Sequence, residues 1–139
     1  MSQGTINMNN IHSSGVCPCE SGMVYAECCS ELHSGRVLAQ TALALMRSRY
    51  SAFALGHADY LVKSWHPDTR PASLSIDEGQ RWIGLKIKTV TQGGAEEDEG
   101  SVEFVARYKV QGKAYRLQEN SRFRRLAGRW YYLDGERPD

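Results

Sequence analysis

Between residues 37 and 55 apolar side chains recur at Leu43, Met46, Tyr50 and Phe53, a three-and-four spacing that predicts one buried stripe on a helix. Arg47, Ser48 and Ser51 fall off this stripe and read as its solvent side, and Gly56 is the stop. A second helix fits residues 59–66, opened by Asp59 and closed by Pro67, with Leu61 and Trp65 four apart toward the same core. Ser75 followed by Glu78 has capping-box spacing and predicts a short third helix. From Trp82 the period changes to two: Ile83, Leu85 and Ile87 alternate with Gly84, Lys86 and Lys88, the pattern of a half-solvated strand. Residues 92–100 read as a polar turn whose Glu96-Glu97-Asp98-Glu99 run is a solvated tip. Two long strands follow at residues 101–110 and 114–126, turned at Gln111-Gly112-Lys113, and a last strand covers residues 129–133. Helices followed by a four-strand antiparallel meander predict an α+β domain.

Length and composition narrow this only a little. A chain of 139 residues supports one ordinary core plus a small module, and 41% hydrophobic with 24% charged residues excludes a disordered or membrane-embedded chain. Residues 1–15 have little to bury and read as a flexible leader. No apolar run is long enough to cross a bilayer, and no basic segment precedes a hydrophobic one at the N-terminus, so the expectation is a cytoplasmic protein without membrane contact. A formal net charge of +1 argues against a dedicated nucleic-acid binder.

The chemistry is concentrated in one place. All four cysteines lie in Cys17-Pro18-Cys19-Glu20-Ser21-Gly22-Met23-Val24-Tyr25-Ala26-Glu27-Cys28-Cys29. Four thiolates are the set that one tetrahedral zinc ion takes, and a closed set of four leaves no position for a catalytic water. Pro18 stiffens the first pair, Gly22 permits a turn, and a helical turn from Val24 presents the second pair. Neighbouring cysteines make poor disulfides because the geometry of an S–S bridge is demanding, and a reducing compartment favours metal. The expected ligands of one structural zinc are Cys17, Cys19, Cys28 and Cys29, with His33 as an alternative fourth ligand in place of Cys29.

Cys17-Pro18-Cys19, Ser21-Gly22, Tyr25 and Cys28-Cys29 resemble the SEC-C motif, a zinc module found at the C-terminus of the bacterial secretion motor SecA and in several small proteins. Together with Met46-Arg47-Ser48-Arg49-Tyr50-Ser51-Ala52-Phe53, Asp59-Tyr60-Leu61, Trp65-His66-Pro67 and Trp130-Tyr131-Tyr132-Leu133-Asp134-Gly135, they make the chain similar to the bacterial YchJ-like family over nearly everything after Gly15. Glu20 departs from the module, which usually has glycine there, and Met23-Val24 stand where SecA-type modules are basic. The resemblance implies a SEC-C zinc knuckle at residues 16–35 followed, over residues 36–139, by a domain of the nuclear-transport-factor-two-like type, a cone of helices wrapped by a curved sheet. It implies no activity.

Within the cone, Glu119 shares a strand face with Tyr115, Leu117, Ser121 and Phe123; in an apolar setting its pKa rises unless a cation or hydrogen-bond donors compensate. Arg47, Arg49 and His66 are its candidate partners, and an acid/base pair of Glu119 and His66 is the one catalytic arrangement the residues offer, beside the plainer reading of a structural tie. Arg47, Tyr50, Trp65, His66 and Glu119 are therefore the candidates to line a pocket for a small molecule. Arg122, Arg124, Arg125 and Arg129, with Tyr131, form a basic cluster that could hold single-stranded RNA or simply face water. The leading expectation is an interaction protein whose knuckle docks on a protein or ribonucleoprotein partner through exposed Met23, Val24 and Tyr25, as a monomer or homodimer.

Overall fold

Thr41 begins the element that organises the chain. Its extended backbone and its hydroxyl, which accepts the Ala44 N–H at 3.0 Å, cap the helix Ala42–Leu55, and Gly56 ends it in the left-handed region at φ 83°. The computed structural model describes residues 15–137, so the leader expected at residues 1–15 lies almost wholly outside the described residues. After a single 3₁₀ turn at Tyr25–Glu27 come α1 (Cys29–His33), α2 (Ala42–Leu55) and α3 (Ala58–Lys63). The strands β1 (Gln80–Gln92), β2 (Glu99–Val110), β3 (Lys113–Leu126) and β4 (Arg129–Glu136) pair in that order as one curved antiparallel sheet. The fold is thus the expected α+β class.

One face of α2 makes the core. Ala42, Leu45, Met46 and Tyr50 pack on Leu85, Val102, Phe104, Phe123 and Trp130. The N-terminus of α2 rests on the β1–β2 turn, where Ala42 donates its N–H to the Gly93 carbonyl at 2.9 Å. A Cβ on Gly93 would lie 2.7 Å from the Ala42 Cβ, and Gly93 has φ +82°, so this approach requires glycine twice over.

Four expectations from the pattern are corrected. Ser48 and Ser51 are fully buried, because α1 and α3 cover the side of α2 that reads as solvent-facing. Their hydroxyls turn back onto the helix, Ser48 Oγ to the Leu45 carbonyl at 2.7 Å and Ser51 Oγ to the Ser48 carbonyl at 3.1 Å, and Ser48 also meets the Tyr60 hydroxyl at 2.6 Å. Residues 75–78 form no helix: Asp77 Oδ1 takes the Gly79 N–H at 2.8 Å in a turn leading into β1. Ile83 is exposed, because the register shifts between Trp82 and Gly84 and that bulge puts Trp82, Leu85 and Ile87 on the core side. The helix after Gly56 stops at Lys63, and the segment behind it runs beside β4 instead: Tyr132 donates to Ser64 O at 2.8 Å and His66 to Tyr132 O at 2.7 Å. Among the described residues no helix is long and apolar enough to cross a membrane.

Candidate metal centre and cone cavity

The knuckle is a miniature hairpin closed on its own backbone. Val16 bridges Val24, Cys17 donates to Met23 O at 2.8 Å, and Tyr25 donates to Gly15 O at 2.9 Å. Glu20 sits at φ 64° and Gly22 at φ 90°, which folds the strand back so that the two cysteine pairs face each other. The four Sγ atoms lie within 4.8 Å of one another; Cys19 to Cys28 is 3.6 Å and Cys28 to Cys29 is 3.9 Å. Thiolates at the corners of a tetrahedron with metal–sulfur bonds of about 2.3 Å stand about 3.8 Å apart, so the cluster can hold one metal ion with Cys17, Cys19, Cys28 and Cys29 as ligands. Cys17, Cys19 and Cys29 are buried.

Contacts among the thiols drive their pKa values apart. The Cys17 and Cys29 thiols beside Cys19 pull its pKa well below the usual thiol range, Cys29 is pushed far up by the same contacts, and Cys17 is pushed up to about 11, chiefly by Cys19. A metal ion displaces the thiol protons. Ser21 Oγ lies 3.2 Å from Cys28 Sγ.

His33, the alternative fourth ligand, is engaged elsewhere. Its Nδ1 meets the Tyr25 hydroxyl at 2.8 Å and its Nε2 the Ser48 carbonyl at 2.8 Å, so both ring nitrogens are engaged in joining the knuckle to α2. Burial pulls its pKa down to about 4. Tyr25 is correspondingly half-buried and packs on the cysteines; of the three residues expected on the surface, Met23 and Val24 are exposed, with Val16 beside them. Two more ties weld the module to the cone. Arg47 donates to Cys19 O at 2.6 Å, and Glu20 accepts the Leu85 N–H of β1 at 2.9 Å.

A cavity of about 360 Å³ opens between α2 and the sheet. Of the expected lining residues it contains Tyr50, Trp65 and Glu119. Arg47 is not there because it points to the knuckle. His66 is not there either: it is buried behind β4, accepting the Asp68 N–H at 3.0 Å and lying 5.9 Å from the Tyr131 ring, so no acid/base pair with Glu119 forms. The donors around Glu119 are instead the Ser121 hydroxyl at 2.8 Å and the Tyr132 hydroxyl at 3.4 Å, with Arg137 Nε at 3.9 Å. Burial, then the Glu119 charge, lifts the Tyr132 pKa to about 12. Arg49, left out of the expected lining, is the buried cation of the cavity. Its signal was the helical spacing, three residues after Met46 and four before Phe53.

The arginine cluster is paired within the protein. Arg122 holds Asp134 through two bonds of 2.7 and 2.6 Å, Arg125 reaches Asp98 at 3.2 Å, Arg124 lies 3.9 Å from Glu99, and Arg129 lies over the Tyr131 ring at 5.4 Å.

Two family models match stretches of the chain. Residues 16–31 match the SEC-C motif, and residues 41–135 match the family described as YchJ, middle NTF2-like domain. A UPF0225 protein of Chromobacterium violaceum is 53% identical over 122 residues, covering 86% of this chain and 90% of its own. A UPF0225 protein of Streptomyces coelicolor is 48% identical over 120 residues, 86% of this chain and 94% of its own. The solution structure of a SEC-C motif containing protein from Rhodopseudomonas palustris superposes with a TM-score of 0.78 at 35% identity, over 88% of this chain and 98% of that one. A crystal structure of a SEC-C motif containing protein from Psychrobacter arcticus gives 0.75 at 30% identity, over 89% and 83%. Knuckle and cone are thus alike in these relatives, and the chain belongs to the YchJ-like UPF0225 family.

Proposed function

We propose that this is a zinc-braced, non-catalytic binding protein of the cytoplasm whose working site is the cone cavity. The observation that carries this reading is the cavity itself: about 360 Å³ walled by aromatic side chains, with a buried arginine and a half-buried glutamate on its lining. That is the size and make-up of a site for a small organic molecule. Glu119 is tied to hydroxyls and, among the described residues, has no imidazole beside it, which favours binding over proton transfer. Four closed thiolates favour zinc in a structural role, fastening the knuckle to α2.

Ligand-observed NMR against a panel of small aromatic molecules tests the reading. Binders are expected with the wild type and not with Leu117→Trp, which fills the lining with an indole; a panel without binders overturns it. Native mass spectrometry under reducing conditions is expected to give one zinc per chain.

A second reading has its own observation. Val16, Met23 and Val24, exposed to 66%, 49% and 39%, form an apolar ridge on the knuckle hairpin, and this favours docking on a protein partner. Cross-linking from that ridge is expected to be lost in Met23→Ser with Val24→Ser while zinc is retained; an unchanged cross-link pattern sinks it.

A further inference from the structure

Arg49 is 6% exposed, yet among the described residues no carboxylate lies within ion-pair distance of it. Its Nη1 donates to the Leu61 carbonyl at 2.8 Å and to Ser64 Oγ at 2.6 Å. Its guanidinium carbon is 4.4 Å from the Tyr132 ring centre and 5.1 Å from that of Trp65. Burial pulls its pKa down to about 10, so the charge persists at neutral pH. Nε and Nη2 make no hydrogen bond among the described residues, although Arg49 lines the cavity. Glu119, in the same cavity but beyond ion-pair distance, supports this charge only from afar, so an anion seated on the free side of Arg49 would gain a direct charge-assisted contact. The free Nε and Nη2 form one edge of the guanidinium, which matches the planar fork of a carboxylate.

The remaining lining limits what can carry that carboxylate. Phe53, Trp82 and Tyr108 pack on one another, with ring centres 6.1 Å (Phe53 to Trp82) and 4.9 Å (Trp82 to Tyr108) apart, and with Phe104 they give the cavity an apolar aromatic wall. At about 30 Å³ per loosely packed non-hydrogen atom, the cavity holds roughly a dozen such atoms, one substituted ring or a fused pair. Glu119 opposes a second negative charge but accepts a hydrogen bond from a ligand amine or hydroxyl, its Oε1 having only Arg137 nearby at 3.9 Å.

Building on the cavity reading above, we infer that the ligand is a small aromatic monocarboxylate bearing an amino or hydroxyl donor, its carboxylate on Arg49, its ring against the aromatic wall and its donor toward Glu119. Arg49 selects the charge and Glu119 limits it to one.

The test is an NMR titration of the full chain with benzoate, 4-aminobenzoate and the uncharged benzamide. Both carboxylates are expected to bind about tenfold or more tightly than benzamide, the usual margin of a charge-assisted pair, with 4-aminobenzoate the tightest. In Arg49→Met the preference for carboxylate over amide is expected to vanish while benzamide binds as before. Should that variant not fold, the wild-type comparison of acid with amide decides alone. Equal affinity for benzoate and benzamide in the wild type overturns the anion assignment and leaves the cavity reading standing. No binding by any of the three at about 1 mM, the weak end for such fragments, overturns both.

Discussion

Glu20 stands where the SEC-C module usually has glycine, and two opposing effects meet at it. Its backbone is left-handed at φ 64°, which costs a side-chain-bearing residue about 1 kcal/mol. Its exposed carboxylate accepts the Leu85 N–H at 2.9 Å, a bond worth about 1 kcal/mol net at a solvent-facing edge. Glu20→Ala keeps the strain and loses the bond, so it should destabilise by about 1 kcal/mol. Glu20→Gly loses the same bond and releases the strain, so it should sit near the wild type. Thermal unfolding followed by circular dichroism resolves this, since about 1 kcal/mol moves the midpoint by about 4 °C in a domain of this size. Amide hydrogen exchange at Leu85 supplies the independent reading: it should quicken in both variants, including the glycine variant whose global stability is restored. Equal stability of the alanine and glycine variants would remove the strain from the account, and unchanged Leu85 exchange would remove the hydrogen bond.

Three other outcomes are expected. Stripping the metal with a chelator should remove about 10 kcal/mol or more of local folding free energy from the knuckle. Because Arg47, Glu20 and His33 tie it to the cone, the cone should lose about 3 kcal/mol with it, read as a drop in the calorimetric midpoint; a cone that melts unchanged contradicts the coupling. Gly93→Ala should cost about 2 to 3 kcal/mol in denaturant unfolding, through the 2.7 Å approach to Ala42 and the left-handed φ. His33, neutral when buried with a pKa near 4 against about 6.5 unfolded, contributes stability that is complete above pH 6.5 and is lost as pH falls toward 4. Discounted for its partial exposure the loss is about 2 kcal/mol, and His33→Gln should flatten the stability curve in that window; a curve of unchanged slope refutes the assignment.

The sequence made the sheet legible wherever strands kept strict alternation. Leu117, Glu119, Ser121 and Phe123 share one face of β3 as period two requires, and all four line the cavity. Alternation misled at Ile83, where one inserted residue in β1 reverses every side chain before it, and a bulge leaves no mark in a hydrophobic pattern. The stripe of α2 was legible, but its second buried side was not. Ser48, Ser51 and Arg49 are the residues of a surface, and they are covered by segments whose approach depends on contacts made from residues 33, 60, 61 and 64. Four cysteines within thirteen residues announced a cluster able to hold a metal by count alone, whereas the engagement of both His33 nitrogens by Tyr25 and Ser48 left no mark in the spacing. His66 and Glu119 belong to different sides of β4, which no linear spacing between them encodes.

An open sheet has two outer rims, and each is a template on which another chain can add a strand. Here the β4 rim is occupied by the Ser64–His66 backbone, a segment held by the cone itself. The β1 rim is guarded at Leu85 by Glu20, which belongs to the loop between the two cysteine pairs. Loss of that one contact bares the strand edge at Leu85, and Arg81, Lys86 and Lys88 are then the charges that β1 itself carries against edge-to-edge pairing.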